Sequence, residues 1–225
     1  MMLSVSIKHP DSEAFIDAKM TEGINIPDAY VYSRFAPDST VVRMASWDTP
    51  VQVAMYRLLK ESDNLNAEAF LHRLGVQYTG KKKASADDGI QAVKHLIKQL
   101  GHSPDDYKLV DGSGLSNYNY ISPELLVDFL KYAYSSTEIF QRIYKSLPVA
   151  GRDGTLKDRM KGGKAYKNVT AKTGTITGIS CLAGYVQTSH NHMLAFAIMN
   201  QNTLWASKAR RLQDMICEEL AKYPL

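Results

Sequence analysis

The sequence predicts an α+β protein in which an antiparallel sheet is flanked by helices. Three observations carry that reading. Apolar residues recur with a 3.6-residue period through the middle of the chain, as at Ile90, Val93, Leu96, Ile97 and Leu100. Alternating apolar runs cluster late, at 168–173, 179–187 and 192–199, the last two joined by the turn Thr188-Ser189-His190-Asn191. An amphipathic stretch at 205–222 then closes the sequence. Helices grouped in the middle and strands near the end suit helices packed on an antiparallel sheet. With 225 residues and 44% hydrophobic content there is enough apolar material for a sizeable core. No repeat, low-complexity stretch or composition break divides the chain, so residues 1–225 are expected to form a single domain.

In chain order, SEAFIDAKMTE at 12–22 reads as a helix ended by Gly23, and GINIP as a short extended piece. TVVRMAS at 40–46 is a strand candidate. Pro50 opens a helix over 51–62, with Val51, Ala54, Leu58 and Leu59 along one face. A second helix is expected over about 65–74, stopped by Gly75, and a polar, basic loop over 77–86. Asp87 and Asp88 start a third helix that Gly101 ends. Residues 107–110 read as a short strand before DGSGLS. Ser122-Pro123-Glu124 is a helix start, with serine as N-cap and proline at the first helical position, and a further helix is expected at 137–146.

Composition narrows the function classes. The net charge of +4 is mild and its cations are interleaved with acids; Lys81-Lys82-Lys83 reads as a solvated loop. The tyrosines, Tyr118, Tyr120, Tyr132 and Tyr134 among them, read as half-buried packing and not as stacking platforms, so nucleic-acid binding is not expected. Cys181 and Cys217 lie in apolar patterns without metal spacing and read as small buried hydrophobes. His190-x-His192 lies in a turn with no acidic cluster beside it, so no metal and no cofactor is expected. No run of 18 apolar residues marks a transmembrane segment, and MMLSVSIKHP lacks the pattern of an export signal.

Two short stretches carry chemistry. Lys172-Thr173-Gly174 places a cation and a hydroxyl on one short segment, with a glycine that lets another backbone approach. Together they could hold a carboxylate through charge-assisted hydrogen bonds, each about 1.5–3 kcal/mol. By itself the tripeptide is a weak signal and reads more simply as an ordinary strand start. In ESDNLNAE at 61–68, Ser62 can pass a proton and the Asn64 amide can both donate and accept; the same residues also suit a helix N-cap.

S-D-N and K-T-G occur together, with S-x-x-K, in class A β-lactamases and penicillin-binding proteins. Four blocks here, SDNLNAEAFLHRLG, DGSGLSNYNYISPELLVDFL, LPVAGRDGTLKDRM and KTGTITGISCLAGYV, stand in order over about residues 45–220. They resemble peptidase family S13, the penicillin-binding-protein-4-type D-alanyl-D-alanine carboxypeptidases/endopeptidases. The resemblance implies a penicillin-binding-protein/β-lactamase-like transpeptidase domain, and a serine-type hydrolase acting on peptidoglycan D-Ala-D-Ala peptides and bound by β-lactams. It implies catalytic roles for Ser62, Asn64 and Lys172: the serine passes a proton to the leaving amine, the asparagine holds the substrate amide, and the lysine, with Thr173, binds the terminal carboxylate. Substrate binding extends over Thr173, Gly174 and Thr175, the Thr175 N–H forming half of an oxyanion hole. Asp111, Gly112 and Ser113 would support the cleft, and Gly151 and Asp153-Gly154-Thr155 would shape a loop beside it. An extracytoplasmic location is implied for the full-length parent.

The same family places its nucleophile in S-x-x-K, before S-D-N. No serine in these 225 residues has a lysine three positions on; Ser207 is followed by Arg210, and Thr79 with Lys82 falls in the basic loop after S-D-N. The chain is therefore expected to be the C-terminal portion of such an enzyme and inactive alone. The alternative is a non-catalytic module that binds cell-wall peptide.

Overall fold

The computed structural model describes residues 28–31, 42–46 and 50–224. The chain divides into two compact units, Met1–Val53 and Ala54–Leu225. In the first, β1 (Asp28–Val31) pairs antiparallel with β2 (Val42–Ser46), Asp28 opposite Ser46 and Val31 opposite Val42, with a register irregularity at Ala29/Tyr30. The expected strand at 40–46 thus forms as β2, and β1 was not foreseen. The expected helix at 12–22 and the extended piece after it lie outside the described residues.

The rest of the order is α1 (Val51–Tyr56), a π-helical turn (Arg57–Glu61), α2 (Asn64–Thr79), α3 (Ala86–Gln99), α4 (Pro123–Ser135), α5 (Thr137–Ser146), β3 (Thr170–Ile176), β4 (Ile179–Gln187), β5 (Met193–Asn200) and α6 (Ala206–Lys222). Short 3-10 turns occupy Pro104–Asp106 and Gly154–Leu156. Among the described residues of this unit the sheet has the order β3-β4-β5, antiparallel throughout. This is the expected α+β architecture, with helices on both sheet faces.

The strand pleat sorts side chains onto those faces. On one, Ala171, Leu182, Val186 and Phe196 are buried together with Leu156, Cys217 and Ala221, so α6 closes that side. On the other, Tyr185 is 1% exposed and packs against the rings of Phe140 and Tyr144, with centroids 5.2 and 5.9 Å away. Its hydroxyl donates to the Leu130 carbonyl at 2.7 Å, which ties α4 to β4. Burial in this wall pushes the Tyr185 phenol up to about 12.

Several boundaries differ from the sequence expectation. The second helix passes through Gly75 and runs to Thr79, where Gly80 at φ 71° supplies the left-handed cap. Gly75 is needed for packing: a Cβ there would lie 2.8 Å from the Gly89 nitrogen, so glycines on both helices let α2 and α3 cross closely. The third helix starts one residue earlier than its aspartates suggested, capped by Ser85, whose hydroxyl accepts from Asp88 N while the Asp88 carboxylate accepts from Ser85 N. The expected strand at 107–110 reduces to one bridge, Lys108 to Tyr120. The first late strand begins at Thr170 and extends to Ile176, so K-T-G lies in its middle. Tyr118, Tyr120, Tyr132 and Tyr134 are exposed, not half-buried, although Tyr134 still stacks edge-on to Phe140. Cys217 is buried and Cys181 half-buried, both as free thiols.

Gly89→Ala is expected to destabilise the chain. The new methyl meets the Leu71 carbonyl, and overpacking of this kind costs about 1–3 kcal/mol, more than alanine's helix propensity returns. A urea unfolding midpoint at or above that of the parent chain would show that α2 can move away at no cost.

Candidate active site

The chain presents Ser62 through an unusual helix ending. After α1 the helix widens into π geometry, and Ser62 N–H donates back to the Arg57 carbonyl. Ser62 then takes φ 59°, ψ 46°, a left-handed conformation that costs a non-glycine residue about 1–2 kcal/mol. Asp63 is the N-cap of α2: its Oδ1 accepts from Asn66 N at 3.0 Å and its Oδ2 from Asn66 Nδ2 at 2.9 Å. The cap is therefore filled by Asp63. Ser62 is left free of that duty, and Asn64 begins the helix with its side chain exposed.

Lys172 comes from the middle of β3. Its Nζ donates to Ser62 Oγ at 2.8 Å and to the Thr173 carbonyl at 2.7 Å. Thus two groups 110 positions apart in sequence meet in one hydrogen bond. Burial without a compensating carboxylate lowers the ammonium from 10.5 to about 8. Lys172 points to one side of the sheet; Thr173 and Thr175, offset by one and three residues, point to the other. Thr173 Oγ1 donates to Thr155 Oγ1 at 2.8 Å, and Arg210 of α6 donates to Thr175 Oγ1 at 3.4 Å.

The edge of β3 away from β4 faces this cluster. Ala171 N–H leaves the sheet to bond the Pro148 carbonyl at 3.0 Å. Because strand amides alternate sides, the N–H groups of Thr173 and Thr175 point to that same edge. No described group accepts a hydrogen bond from either amide there. Gly174, between them, is exposed and has only the Cys181 side chain near the place of its missing Cβ.

Two supports hold the halves together. Lys60 is 4% exposed; its Nζ reaches the Leu147 carbonyl and Asp153 Oδ1, the latter at 2.8 Å. Asp153 Oδ1 also accepts from Val149 N at 2.8 Å. Gly154, at φ 54°, lies so close to Lys60 that a Cβ would stand 2.5 Å from its carbonyl oxygen. Lys60 thereby fixes the residues before Ser62 to the turn that presents Thr155. On the other flank Glu68 of α2 accepts from Gly112 N at 3.1 Å and Ser113 N at 2.9 Å. Asp111 closes its own loop by accepting from Gly114 N and Ser116 N.

The structure thus brings Ser62 and Lys172 together, with the Thr173 carbonyl as a second partner of the lysine, while the Thr173 and Thr175 hydroxyls lie on the opposite face of β3 and Gly174 is exposed between them. Asn64 stands beside Ser62 without a hydrogen bond to the cluster among the described residues. Lys60 and Glu68 were missed: a lysine near a helix end and a glutamate in a helical run read as solvated charges, and only the tertiary fold turns them inward.

Known proteins resemble this chain along most of its length. The model of the D-Ala-D-Ala carboxypeptidase 3 (S13) family matches residues 2–223. The chain belongs to that family. It is 37% identical over 170 residues to a D-alanyl-D-alanine carboxypeptidase of Actinomadura sp. strain R39, covering 73% of this chain and 31% of that protein. To a Haemophilus influenzae D-alanyl-D-alanine carboxypeptidase it is 32% identical, over 65% of this chain and 31% of that one. Among solved structures, penicillin-binding protein 4 from Haemophilus influenzae superposes with a TM-score of 0.74 at 26% identity, covering 86% of this chain and 44% of the other. An extended-spectrum β-lactamase, TLA-1, shares the fold at a TM-score of 0.55 and 16% identity, over 92% of this chain and 79% of that one. The chain spans about a third of the length of these curated relatives.

Lys60→Met is expected to cost about 3 kcal/mol, because it leaves a buried carbonyl and Asp153 without their cation. Urea unfolding checks this; a loss below about 1 kcal/mol would mean that water replaces the ammonium freely. The depressed Lys172 ammonium gives a pH signature. As a base whose folded value is lowered, it disfavours folding while charged, and its own contribution to stability improves as pH rises from about 8 to 10.5. A carbon-13 label on its side chain is expected to titrate near pH 8, below the exposed lysines. A midpoint at the ordinary lysine value would remove the burial argument.

Proposed function

We propose that the chain is the C-terminal portion of a serine-type D-alanyl-D-alanine carboxypeptidase/endopeptidase domain acting on peptidoglycan peptides outside the cytoplasmic membrane. The observation that carries this is the 2.8 Å bond between Lys172 Nζ and Ser62 Oγ, set beside an open strand edge. On this reading the substrate lies along β3. Its terminal carboxylate lies on the Thr173 side of the edge, and its amide is held by Asn64. The Thr175 N–H, turned outward, donates to the carbonyl oxygen as negative charge develops there. Ser62 gives its hydroxyl proton to the departing amine nitrogen while Lys172 gives one of its ammonium protons to Ser62 Oγ. A β-lactam, which carries a carboxylate beside its reactive amide, fits the same edge; the Haemophilus influenzae protein has been solved in complex with one.

The nucleophile that this chemistry needs is absent from these 225 residues, since no S-x-x-K occurs. Loss of the nucleophile from a cooperating set costs about as much as loss of the whole set, on the order of 10⁶ in rate for a serine protease. The chain alone therefore binds without cutting, and that same absence favours the second reading, a peptide-binding module. After incubation with a penicillin, the intact mass of the folded chain is expected to be unchanged. A stable adduct on Ser62, or turnover of a D-Ala-D-Ala peptide abolished by Lys172→Ala, would overturn the binding-only statement.

A further inference from the structure

The cluster contains a cation that neither tripeptide announces. Arg210 lies in the second turn of α6, and its Nη2 stands 3.4 Å from Thr175 Oγ1. Its placement is built and not incidental. Gln213, one turn further on and fully buried, donates from Nε2 to the Ser180 carbonyl at 3.0 Å and to Asn200 Oδ1 at 2.9 Å. Ser180 is the β4 partner of Thr175, and Asn200 the β5 partner of Ser180. The helix is thus locked to the row of the sheet that contains Thr175. Behind it Arg159 donates to the Arg210 carbonyl at 3.2 Å, to Gln213 Oε1 at 3.0 Å and to Asp214 Oδ1 at 2.6 Å. Asp214, the nearby acid of α6, is therefore committed to Arg159. Among the described residues Arg210 itself has no ion-pair partner, and its side chain is exposed at the open edge.

Lys172 is poorly disposed to be the sole carboxylate anchor. Two of its three protons go to Ser62 Oγ and the Thr173 carbonyl, and its side chain leaves β3 on the face opposite Thr173 and Thr175. Arg210 approaches from the face that carries both threonine hydroxyls. A guanidinium stays charged across the working pH range and offers two parallel N–H donors that match a carboxylate's two oxygens.

We propose that Arg210 is a substrate-binding residue that grips the free C-terminal carboxylate of the peptide together with the Thr173 and Thr175 hydroxyls, and so selects ligands ending in a carboxylate over those ending in an amide. The inference rests on reading the β3 edge as the peptide site. Carboxylate specificity then comes from α6, while Lys172 serves the Ser62 side.

The test is a nuclear magnetic resonance titration of the full 225-residue chain with N-acetylated D-Ala-D-Ala and with its C-terminal amide, followed at Gly174 and Thr175. The parent chain is expected to bind the carboxylate form at least ten-fold more tightly than the amide. Arg210→Gln is expected to lose most of that preference while binding the amide as before, and Arg210→Lys to recover only part of it. Arg211→Gln, which removes the same charge one position away, is expected to leave the preference intact. If the parent binds the peptide and Arg210→Gln keeps the full carboxylate preference, the role given to Arg210 is wrong and the site reading stands. If Arg211→Gln erodes the preference as much as Arg210→Gln, general charge is responsible and the proposal fails. If the parent shows no shifts at the β3 edge with either ligand, the site reading itself fails, and this inference with it.

Discussion

The hydrogen bond from Lys172 to Ser62 is the constraint on which the rest of the site depends. It joins the middle of a sheet strand to a helix ending 110 positions earlier. A bond between two flexible side chains would not survive the entropy of ordering both unless their backbones were already fixed. Ser62 is fixed by a strained left-handed residue between a π-helical turn and the Asp63 cap. Lys172 is fixed by strand pairing on one side and by the Pro148–Ala150 segment on the other. Lys60 then ties the two frames together through Leu147 and Asp153, because the same loop that leans on Lys60 also borders β3. The strain at Ser62 persists because its surroundings over-determine it.

The electrostatics follow from the same arrangement. Five acids around the cleft are engaged: Asp63 as a helix cap, Glu68 and Asp111 by loop amides, Asp153 by Lys60 and Asp214 by Arg159. The side chains that meet β3 at Lys172, Thr173 and Thr175 through hydrogen bonds among the described residues, Ser62, Thr155 and Arg210, are hydroxyls and a cation. With no described carboxylate beside it, Lys172 bears the desolvation of its ammonium uncompensated, and this is why its proton is held less tightly than usual. An arriving anion would supply the missing counter-charge, so the unliganded site is poised toward binding one.

Much of this was legible in the sequence, and the remainder was hidden for definite reasons. The 3.6 period located α3 and α6, a serine cap located the start of α4, and alternation located β4 and β5 nearly to the residue. Gly75 misled because a glycine that permits close helix crossing looks the same in sequence as one that ends a helix. Residues 107–110 alternate like a strand, yet only Lys108 finds a partner. At the site, Ser62, Lys172 and Thr173 could be named from short motifs. Lys60 could not, since nothing local distinguishes a lysine that turns inward to a carbonyl 87 positions away from one that points to water.

The pleat of β3 explains why the motif is a lysine followed by a hydroxyl residue and a glycine. Adjacent strand residues project to opposite faces, so Lys172 and Thr173 cannot serve the same side. Lys172 turns to the face walled by Tyr185 and the helices, where it meets Ser62. Thr173 and Thr175 turn to the face closed by α6, where they meet Thr155 and Arg210. Between the two hydroxyl residues, Gly174 leaves the strand surface bare on the lysine's face, so a ligand backbone can approach the outward amides without meeting a side chain. On the proposed reading, a two-residue spacing of hydroxyls, an intervening glycine and a preceding cation is what lets an edge strand offer amides in its plane, a proton relay on one face and anion contacts on the other.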